Sequence, residues 1–369
     1  MSRKRRKTVV SSQLTVVSKL IAKLFFALLV PILIMLFVFI IDPLQFYRPA
    51  TMYLPRFYGQ ERFQNPAIAH SFTYDTVVVG TSMSANVSLN TLRNAYGFEP
   101  IRQTFAGSSV FEQQSGLSVA LRTGQVKKVI WELNFTSFGG EVDKPKDSKA
   151  IFPSYLYNKT WLDDFKYLLD PVQIVRAWEI ARDWLPYNGG VMDYELEDLR
   201  KWGSWFNYSK EITMADFNIR RDKGEFEPTG RLLERHSNEK LANNIAVNVV
   251  DIVRAYPDVE WIFCFAPFSA LEHVIYDEQG IFEQQLNFRH GAYYSLRQLE
   301  NVRIFDFQGD KAIVEDLSNY KDSMHYSPAI TNLMLYYMLN YDETTDEEFD
   351  ANQIYLRKLV KKWKSELTL

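Results

Sequence analysis

Five short apolar runs along the chain have the character of buried strands. Each is rich in β-branched or aromatic residues and is followed by a helical or irregular stretch. Their apolar character is continuous rather than alternating, which is typical of strands covered on both faces of a mostly parallel sheet. The five predicted strands are 75–80, 100–107, 127–135, 259–267 and 302–307.

Helices are predicted between these strands. In the stretch 238–255, Leu241, Ile245, Val249 and Ile252 recur at helical spacing, and a proline follows as a stop signal. Because strands and helices alternate, the pattern predicts an α/β fold with a doubly wound, mostly parallel sheet flanked by helices. The other predicted helices are 83–95, 110–124, 281–299 and 328–340.

Residues 141–237 break this alternation. The stretch is rich in Trp, Tyr, Asp and Lys, and part of it, 170–185, has a helical pattern. It is too long for an ordinary connection, so we expect a helical and aromatic cap inserted over one edge of the sheet. Near the C-terminus, residues 347–367 are acidic first and basic last, which predicts a surface helix.

The N-terminal region contains a long apolar segment. Residues 24–41 carry no charge, and adding 20–23 brings the segment to the roughly 20 residues that a membrane helix needs. A cleaved signal peptide would have a shorter apolar region and a small-residue cleavage site. A buried core helix is the alternative. The pattern predicts a transmembrane helix at 20–41 that anchors the chain in a lipid bilayer.

Charge gives this segment an orientation. Residues 1–41 hold seven Lys and Arg and no acid, so the remainder has 35 basic against 45 acidic residues, a net charge of −10. By the positive-inside rule, the basic tail 1–19 is cytoplasmic, and 42–369 forms an extracytoplasmic domain, periplasmic or extracellular, with the cap at 141–237. An acidic domain argues against nucleic-acid binding. The lone Cys264 permits no internal disulfide, so the core alone stabilises this domain.

A cluster of glycine and hydroxyl residues ends the first predicted strand. Ser82 lies two residues beyond Gly80, at the expected carboxyl edge of the sheet and at the amino end of the following helix. Ligands of open α/β sheets bind at this edge, and helix-terminal amides favour developing negative charge. A serine here is either a helix cap or a nucleophile, and a nucleophilic serine needs a base.

The sequence offers a base far along the chain. Asp322 and His325 are three residues apart, just before the predicted helix that begins at Pro328. This spacing lets the carboxylate reach the imidazole Nδ1 and leaves Nε2 free for a serine. The alternative is a loop histidine with an ordinary acidic neighbour. The other four histidines lie in a polar loop or on predicted helices, without ligand spacing, so we expect no metal or other cofactor.

Together these motifs resemble the SGNH/GDSL hydrolase superfamily. The sequence has Gly-Thr-Ser after the first strand, "TFAGSS" after the second, "WELNF" at the third and Asp-x-x-His after the last. The resemblance implies that Ser82 is the nucleophile, and that Asp322 and His325 are the acid–base pair. It further implies an oxyanion hole made by the Gly107 amide and the Asn134 side chain, with the Ser82 amide as a third donor.

The match departs from the superfamily pattern in three places. Thr81 stands where the Gly-Asp-Ser motif has Asp, the second block has Ala106 and lacks its common Asn, and the third reads Glu132-Leu133-Asn134-Phe135 rather than Gly-x-Asn-Asp. Asn134 is alternatively a turn-capping asparagine. Ser84 competes with Ser82 as the nucleophile, although Ser82 has the superfamily spacing from Gly80.

One branch of the superfamily is most similar. A single membrane helix, the "GTSMS" block and "HYS" near the end resemble the D-alanyl transfer proteins of teichoic acid synthesis and the O-acetylation proteins of alginate and similar exopolysaccharides. The resemblance implies a polysaccharide or teichoic-acid-like acceptor and a membrane-bound O-acyltransferase as partner.

Two functions follow as hypotheses. The first is a membrane-anchored O-acyltransferase or esterase that works outside the cytoplasmic membrane through a Ser–His–Asp triad. The second is an SGNH-like scaffold or carbohydrate-binding subunit that has lost activity. Aromatic cap residues are candidates for stacking on sugar rings, although each could equally be a core residue of the cap. They are Trp161, Trp202 and Trp205.

Overall fold

Five strands form one sheet in the part of the chain that the computed structural model describes, residues 2–146, 152–184, 196–197, 199 and 201–367. All neighbouring strands are parallel, in the order β2-β1-β3-β4-β5, and helices flank them. The predicted α/β fold with a parallel sheet is confirmed. The strands are β1 (Thr76–Gly80), β2 (Pro100–Thr104), β3 (Lys128–Glu132), β4 (Glu260–Phe265) and β5 (Val302–Asp306).

The register aligns the carboxyl ends of the strands. Gly80 at the end of β1 pairs with Thr104 of β2, and Glu132 at the end of β3 pairs with Cys264 of β4. The segments that follow β1, β2 and β3 therefore emerge at the same edge of the sheet. This edge is where open α/β sheets bind ligands.

The strands are buried along almost their whole length, which explains their continuous apolar sequence. At the centre, Trp131 of β3 stacks on Phe263 of β4, with ring centroids 5.8 Å apart, and Phe263 stacks on Trp261 at 6.1 Å. All three side chains are fully buried. Aromatic packing between the middle strands thus forms the centre of the core.

A buried ion pair lies at the end of β5. The guanidinium of Arg289 contacts the Asp306 carboxylate at 2.5 Å and donates a second bond to Gln308 at 2.8 Å. The guanidinium also lies 5.4 Å from the ring centroids of Phe265 and Phe349. The pair joins β5 to the helix that carries Arg289, and its charges are removed from water.

The described residues divide into two compact units. The N-terminal unit comprises residues of Met1–Arg56 and Ser154–Val191, and the sheet unit comprises residues of Phe57–Pro153 and Met192–Leu369. The inserted stretch 141–237 is therefore shared between the units, as is the predicted domain 42–369. The helices of the sheet unit are Glu61–Ser71, Leu89–Tyr96, Val110–Leu121, Lys210–Asp222, Gly230–Arg235, Asn238–Ile245, Asp251–Ala255, Ala270–Glu278, Phe282–Leu296, Lys311–Val314, Pro328–Asn340 and Asp346–Glu366.

Most predicted helices are present within a few residues of their expected bounds. The predicted helix 238–255 contains a π-helical segment, Ala246–Val250, between its two α-helical parts. Shorter 3₁₀ turns connect many elements. They are Ser84–Asn86, Phe135–Ser137, Ser154–Leu156, Trp161–Asp163, Gly203–Trp205, Phe307–Gly309 and Leu317–Asn319.

The predicted helix 83–95 is wrong in its first half. The chain makes the 3₁₀ turn Ser84–Asn86, becomes extended at Val87, and enters the helix Leu89–Tyr96 only after Ser88. The Ser88 hydroxyl caps that helix by accepting from the Thr91 amide at 3.0 Å. Ser82 therefore does not lie at the amino end of an α-helix, and a helix dipole is not available to it.

The N-terminal unit is built on the helix Ser2–Ile41, against which the helices Phe165–Leu168 and Pro171–Arg182 pack. Asp42 organises the turn after the N-terminal helix. Its carboxylate accepts from the amides of residues 46–48 and from the Tyr167 hydroxyl at 2.8 Å. Searched over the described residues, no helix combines the length and apolar character that crossing a membrane requires. The predicted transmembrane helix at 20–41 is thus not confirmed.

We expect Asp306→Ala to lower the free energy of unfolding by about 3–5 kcal/mol, because it leaves the Arg289 charge buried without its partner. Glu260→Ala is the matched control on the neighbouring strand. Glu260 pairs with Lys128 and Arg303 but its side chain is 43% exposed, so its removal should cost about 1 kcal/mol or less. Urea denaturation of both variants measures the difference. Equal losses would contradict this account of the pair.

Candidate active site

A sharp turn after β1 presents Ser82. Gly80 has a φ of +153°, a conformation that favours glycine. A Cβ at position 80 would also collide with the Ser84 hydroxyl and press on the Glu132 carboxylate. Glycine is therefore required for the chain to turn here, and Ser82, two residues later, is partly exposed at the sheet edge.

The Asp322–His325 segment forms a tight turn stabilised by its own aspartate. Asp322 Oδ1 accepts from the backbone amides of Met324 at 2.9 Å and His325 at 2.7 Å. The same carboxylate faces the imidazole, with Nδ1 3.0 Å from Oδ1 and 2.9 Å from Oδ2. The spacing of three residues thus lets one carboxylate hold both the loop and the ring.

Neighbouring elements hold this turn from outside. Ser323 Oγ donates to the buried Glu272 carboxylate at 2.5 Å and accepts from the Arg220 guanidinium at 2.6 Å. The Ser323 carbonyl accepts from the hydroxyl of Ser269 at 2.6 Å. Arg220 belongs to the helix Lys210–Asp222, and Glu272 belongs to the helix Ala270–Glu278, which Ser269 directly precedes. Contacts with elements distant in sequence therefore set the position of His325.

The structure brings Ser82 and His325 together across 243 residues of sequence. Ser82 Oγ lies 3.0 Å from His325 Nε2. Since Nδ1 faces a carboxylate, Nδ1 carries the proton and donates to Asp322, which leaves Nε2 as the acceptor for the serine hydroxyl. The Ser–His–Asp order and contacts are those of a catalytic triad, in which the base can remove the serine proton.

The carboxylate of the triad is held in its charged form. Burial alone would raise the pKa of Asp322, but hydrogen bonds from His325, the charge of its ring and a hydrogen bond from Lys321 outweigh burial. The pKa of Asp322 therefore lies well below its ordinary value. Asp322 stays ionised throughout the neutral range and can stabilise an imidazolium on His325.

Trp202 packs against the triad. Its indole N–H donates to the Ser82 carbonyl at 2.8 Å, and its ring stands edge-on to the His325 ring with centroids 5.2 Å apart. The Lys321 ammonium lies 5.2 Å from the Trp202 ring centroid. Trp202 therefore positions the serine and the histidine, a role that its place in the aromatic-rich stretch did not indicate.

Both predicted oxyanion donors lie at the same pocket as Ser82 and His325. Gly107 adopts a left-handed φ of +59° in the turn after β2. The amide orientation of Asn134 follows from its contacts, because its Oδ1 accepts from the Thr136 backbone N–H at 3.1 Å. Its Nδ2 is then the donor, with one N–H bonded to Glu132 and one remaining.

Glu132 is a site residue that the sequence analysis did not single out. Its fully buried carboxylate accepts from the Ser84 amide at 3.1 Å and the Ser84 hydroxyl at 2.5 Å. Thr81 Oγ1 and Asn134 Nδ2 also donate to it, each at 3.3 Å. Burial raises the pKa of Glu132, and these hydrogen bonds oppose that shift. The bonds tie the turn that carries Ser82 to the side chain of Asn134.

This network also resolves the competition between the two serines. Ser84 is buried, and its hydroxyl donates to Glu132 rather than to His325. Only Ser82 of the two contacts His325. A polar residue two positions before Asn134, at the end of a predicted strand, was the available signal for Glu132.

The pocket has a volume of about 500 Å³ and a cationic wall. Lys146, Arg220 and Arg235 line it together with Ser82 and His325, and Glu272, which also lines it, pairs with Arg220. Burial and the charge of Arg235 lower the pKa of Lys146 to about 8. Among the described residues, neither Lys146 nor Arg235 forms an ion pair. Among the described lining residues the positive charges outnumber the single carboxylate, and this net positive charge beside Ser82 suits an anionic ligand.

Lys146 is also connected to the oxyanion side. Its ammonium donates to Thr136 Oγ1 at 3.2 Å, and that hydroxyl donates to Asn134 Oδ1 at 3.0 Å. His236 lines the same pocket, but burial lowers its pKa to about 4, so it is neutral and its Nδ1 donates to the Leu232 carbonyl. Within the described residues, no group of three or more His, Cys, Asp and Glu is arranged to hold a metal ion.

The aromatic candidates for sugar stacking do not gather at this pocket. Trp202 contacts the triad, as above, while Trp205 is 74% exposed on the sheet unit. Trp161 belongs to the N-terminal unit and is 79% exposed. The described residues that line the pocket include none of the three. Sugar binding by these residues stays a prediction.

Comparison with known proteins finds no protein-family model that matches the sequence and no similar curated protein. The geometry of the site therefore carries the functional argument.

We expect stability to depend on pH through Asp322. Its pKa is depressed in the folded state, so its contribution to the free energy of unfolding is present above the unfolded value near 3.8 and is lost as pH falls below it. Asp322→Asn should therefore be much less stable than the native protein at neutral pH, and the gap should narrow in acid. Urea midpoints across the acid range measure it. Asp222→Asn is the control, because its side chain is 77% exposed, and it should leave stability unchanged at every pH. If the difference in stability between Asp322→Asn and the native protein stayed constant with pH, it would contradict the depressed pKa of Asp322.

Proposed function

We propose that this chain is a serine-dependent O-acyltransferase or esterase of the SGNH hydrolase type. The observation that carries the proposal is the 3.0 Å contact between Ser82 Oγ and His325 Nε2, with Asp322 on the other side of the ring. An inactive scaffold would not need this alignment, nor an open pocket beside it. The geometry therefore favours the catalytic hypothesis over the scaffold hypothesis.

The proposed reaction has two steps. His325 Nε2 takes the proton of Ser82 Oγ as that oxygen attacks the acyl carbonyl carbon of a donor ester. The leaving group departs with this proton, and an acyl-serine remains. In the second step, His325 takes a proton from an acceptor hydroxyl as the acceptor oxygen attacks the acyl-serine carbonyl carbon. The bond from that carbon to Ser82 Oγ then breaks, and His325 returns the proton to Ser82 Oγ. If the acceptor is water the enzyme is an esterase, and if it is a sugar hydroxyl it is a transferase.

The oxyanion of each tetrahedral intermediate needs donors. Gly107 N–H and the free N–H of Asn134 Nδ2 are the proposed donors, with the Ser82 amide as a third. Each such donor contributes on the order of 3 kcal/mol of transition-state stabilisation. Glu132 supports both parts of the machinery, because it holds Asn134 and the turn that carries Ser82.

The proposed acceptor is an anionic polysaccharide or a teichoic-acid-like polymer. Lys146 and Arg235 in the pocket wall support this choice, since carboxylate or phosphate groups of such a polymer would neutralise them. We further propose that residues 20–41 attach the chain to the cytoplasmic membrane with the sheet unit outside. A membrane-bound O-acyltransferase that delivers the acyl group is the proposed partner.

A fluorophosphonate probe tests the proposed nucleophile. In the full-length protein in detergent, we expect covalent labelling at Ser82, read by peptide mass spectrometry. His325→Ala should slow labelling by about a thousandfold or more, because the serine loses its base. Ser84→Ala is the matched control and should keep labelling at position 82. Absence of labelling in folded native protein, or labelling of Ser84, would contradict the proposal.

Lys146 tests the proposed acceptor class. Lys146→Ala should raise the KM for an acetylated polyanion about tenfold, because the polyanion loses one charged hydrogen bond to the pocket. The KM for p-nitrophenyl acetate, which is uncharged, should not change. Since Lys146 is cationic below a pKa of about 8, native KM for the polyanion should rise above that pH. Lys146→Arg should remove this rise. An equal effect of Lys146→Ala on both esters would argue against an anionic acceptor.

A further inference from the structure

The helix Pro171–Arg182 in the N-terminal unit exposes apolar side chains and buries two polar ones. Val172, Val175 and Trp178, spaced three residues apart on one face, are 50%, 56% and 62% exposed. The buried face holds Gln173 and Arg176, at 1% and 8% exposed, together with Ala177 and Ile180, and Arg176 donates to Gln173 Oε1 at 3.3 Å. A surface helix in water normally buries its apolar face and exposes its polar one.

The preceding segment exposes a second group of apolar side chains. Trp161, Leu162 and Phe165 are 79%, 65% and 49% exposed. Together with Val172, Val175 and Trp178 they make up the exposed apolar face of the segment 161–178, which we call the apolar face. Clusters of this kind on a folded protein mark an interaction surface, whereas singly exposed apolar residues do not.

The apolar face belongs to the same unit as the N-terminal helix. The helices Phe165–Leu168 and Pro171–Arg182 both pack on the helix Ser2–Ile41. Tyr167 fixes them to its C-terminal end, because its hydroxyl donates to Asp42 at 2.8 Å and accepts from the Leu44 amide at 3.3 Å. Leu33 and Leu36, on the side of the N-terminal helix that stays uncovered, are 53% and 51% exposed. Exposed apolar surface is thus shared by all three helices.

The residue types and the flanking charges indicate what covers this surface. Trp and Phe are enriched at the boundary between lipid tails and headgroups, and helices with apolar faces lie in that boundary. Basic side chains next to such a face bind lipid phosphates. Lys159 is exposed beside the apolar face and meets this requirement. Lys166 and Arg182 are also exposed there, and each pairs with a neighbouring aspartate, Asp163 and Asp183, that a lipid phosphate would have to replace.

We propose that the apolar face lies in the interfacial layer of a lipid bilayer, with Trp161 and Trp178 at headgroup level. The inference depends on the proposed membrane attachment through residues 20–41 but not on the proposed chemistry. The buried pair of Gln173 and Arg176 turns inward because the lipid side of the helix excludes polar groups. The N-terminal unit then holds the chain against the membrane surface through more than one helix.

Environment-sensitive labels on the full-length protein test this arrangement. Cys264 is 3% exposed, so a cysteine added at an exposed position becomes the main reactive thiol, and native protein gives the background. Leu162→Cys and Val175→Cys report on the apolar face, and Leu33→Cys reports on the membrane attachment itself. Ile354→Cys, 56% exposed on a helix of the sheet unit, is the matched control. The protein is reconstituted in two kinds of phosphatidylglycerol vesicle. One contains a lipid with a nitroxide near the glycerol backbone, at the proposed depth of positions 162 and 175, and the other a lipid with a nitroxide midway along the acyl chain, at the proposed depth of position 33.

We expect fluorescence loss at positions 33, 162 and 175 and none at 354. Loss at 33 without loss at 162 and 175 would overturn the proposal while leaving the attachment intact. Labels at 162 and 175 that emit as if removed from water, but lose no fluorescence to either nitroxide lipid, would also overturn the proposal. A second copy or a partner protein would then cover the apolar face. No loss at any position would overturn the attachment together with the face. Fluorophosphonate labelling of the same samples reports separately on the proposed function.

Discussion

A carboxylate buried at the end of the central strand β3 is the constraint around which the site is organised. A carboxyl group without water must satisfy its oxygen atoms with hydrogen-bond partners from the protein. Glu132 does so with the Ser84 amide and hydroxyl, the Thr81 hydroxyl and the Asn134 amide. Those donors come from the ends of β1 and β3, so satisfying the carboxylate fixes the turn that carries Ser82 and the direction of the Asn134 amide.

Thr81 takes part in this network directly. Its hydroxyl donates to the Glu132 carboxylate, which β3 supplies. The carboxylate is 51 residues away in sequence but lies next to the turn that carries Ser82. Parallel pairing of β1 and β3, with Thr76 opposite Lys128 and Val79 opposite Trp131, makes this contact possible.

Charge is distributed unevenly across the site. On one side, the ionised Asp322 orients His325 and compensates a positive imidazole. On the other, Lys146 and Arg235 leave positive charge in the pocket wall. The low pKa of Asp322 and the lowered pKa of Lys146 have different causes, hydrogen bonding in the first case and burial beside another cation in the second. Asp322 therefore changes its charge only in acid, whereas Lys146 changes its charge at mildly alkaline pH.

The sequence by itself determined the five strands, most of the helices and the parallel α/β fold, and it offered Asp322 and His325 as a local pair. Continuous apolar runs report burial on both faces, and the Asp322–His325 spacing acts locally within one turn, so neither needs the rest of the chain. Tertiary structure decided the other features. They are the break after Ser84, the roles of Glu132 and Trp202, the cationic wall of the pocket and the two units. Each depends on partners distant in sequence, such as Ser88 with Glu197 or Trp202 with Ser82. Spacing along a chain carries no record of such contacts, because only folding brings the partners within hydrogen-bonding distance.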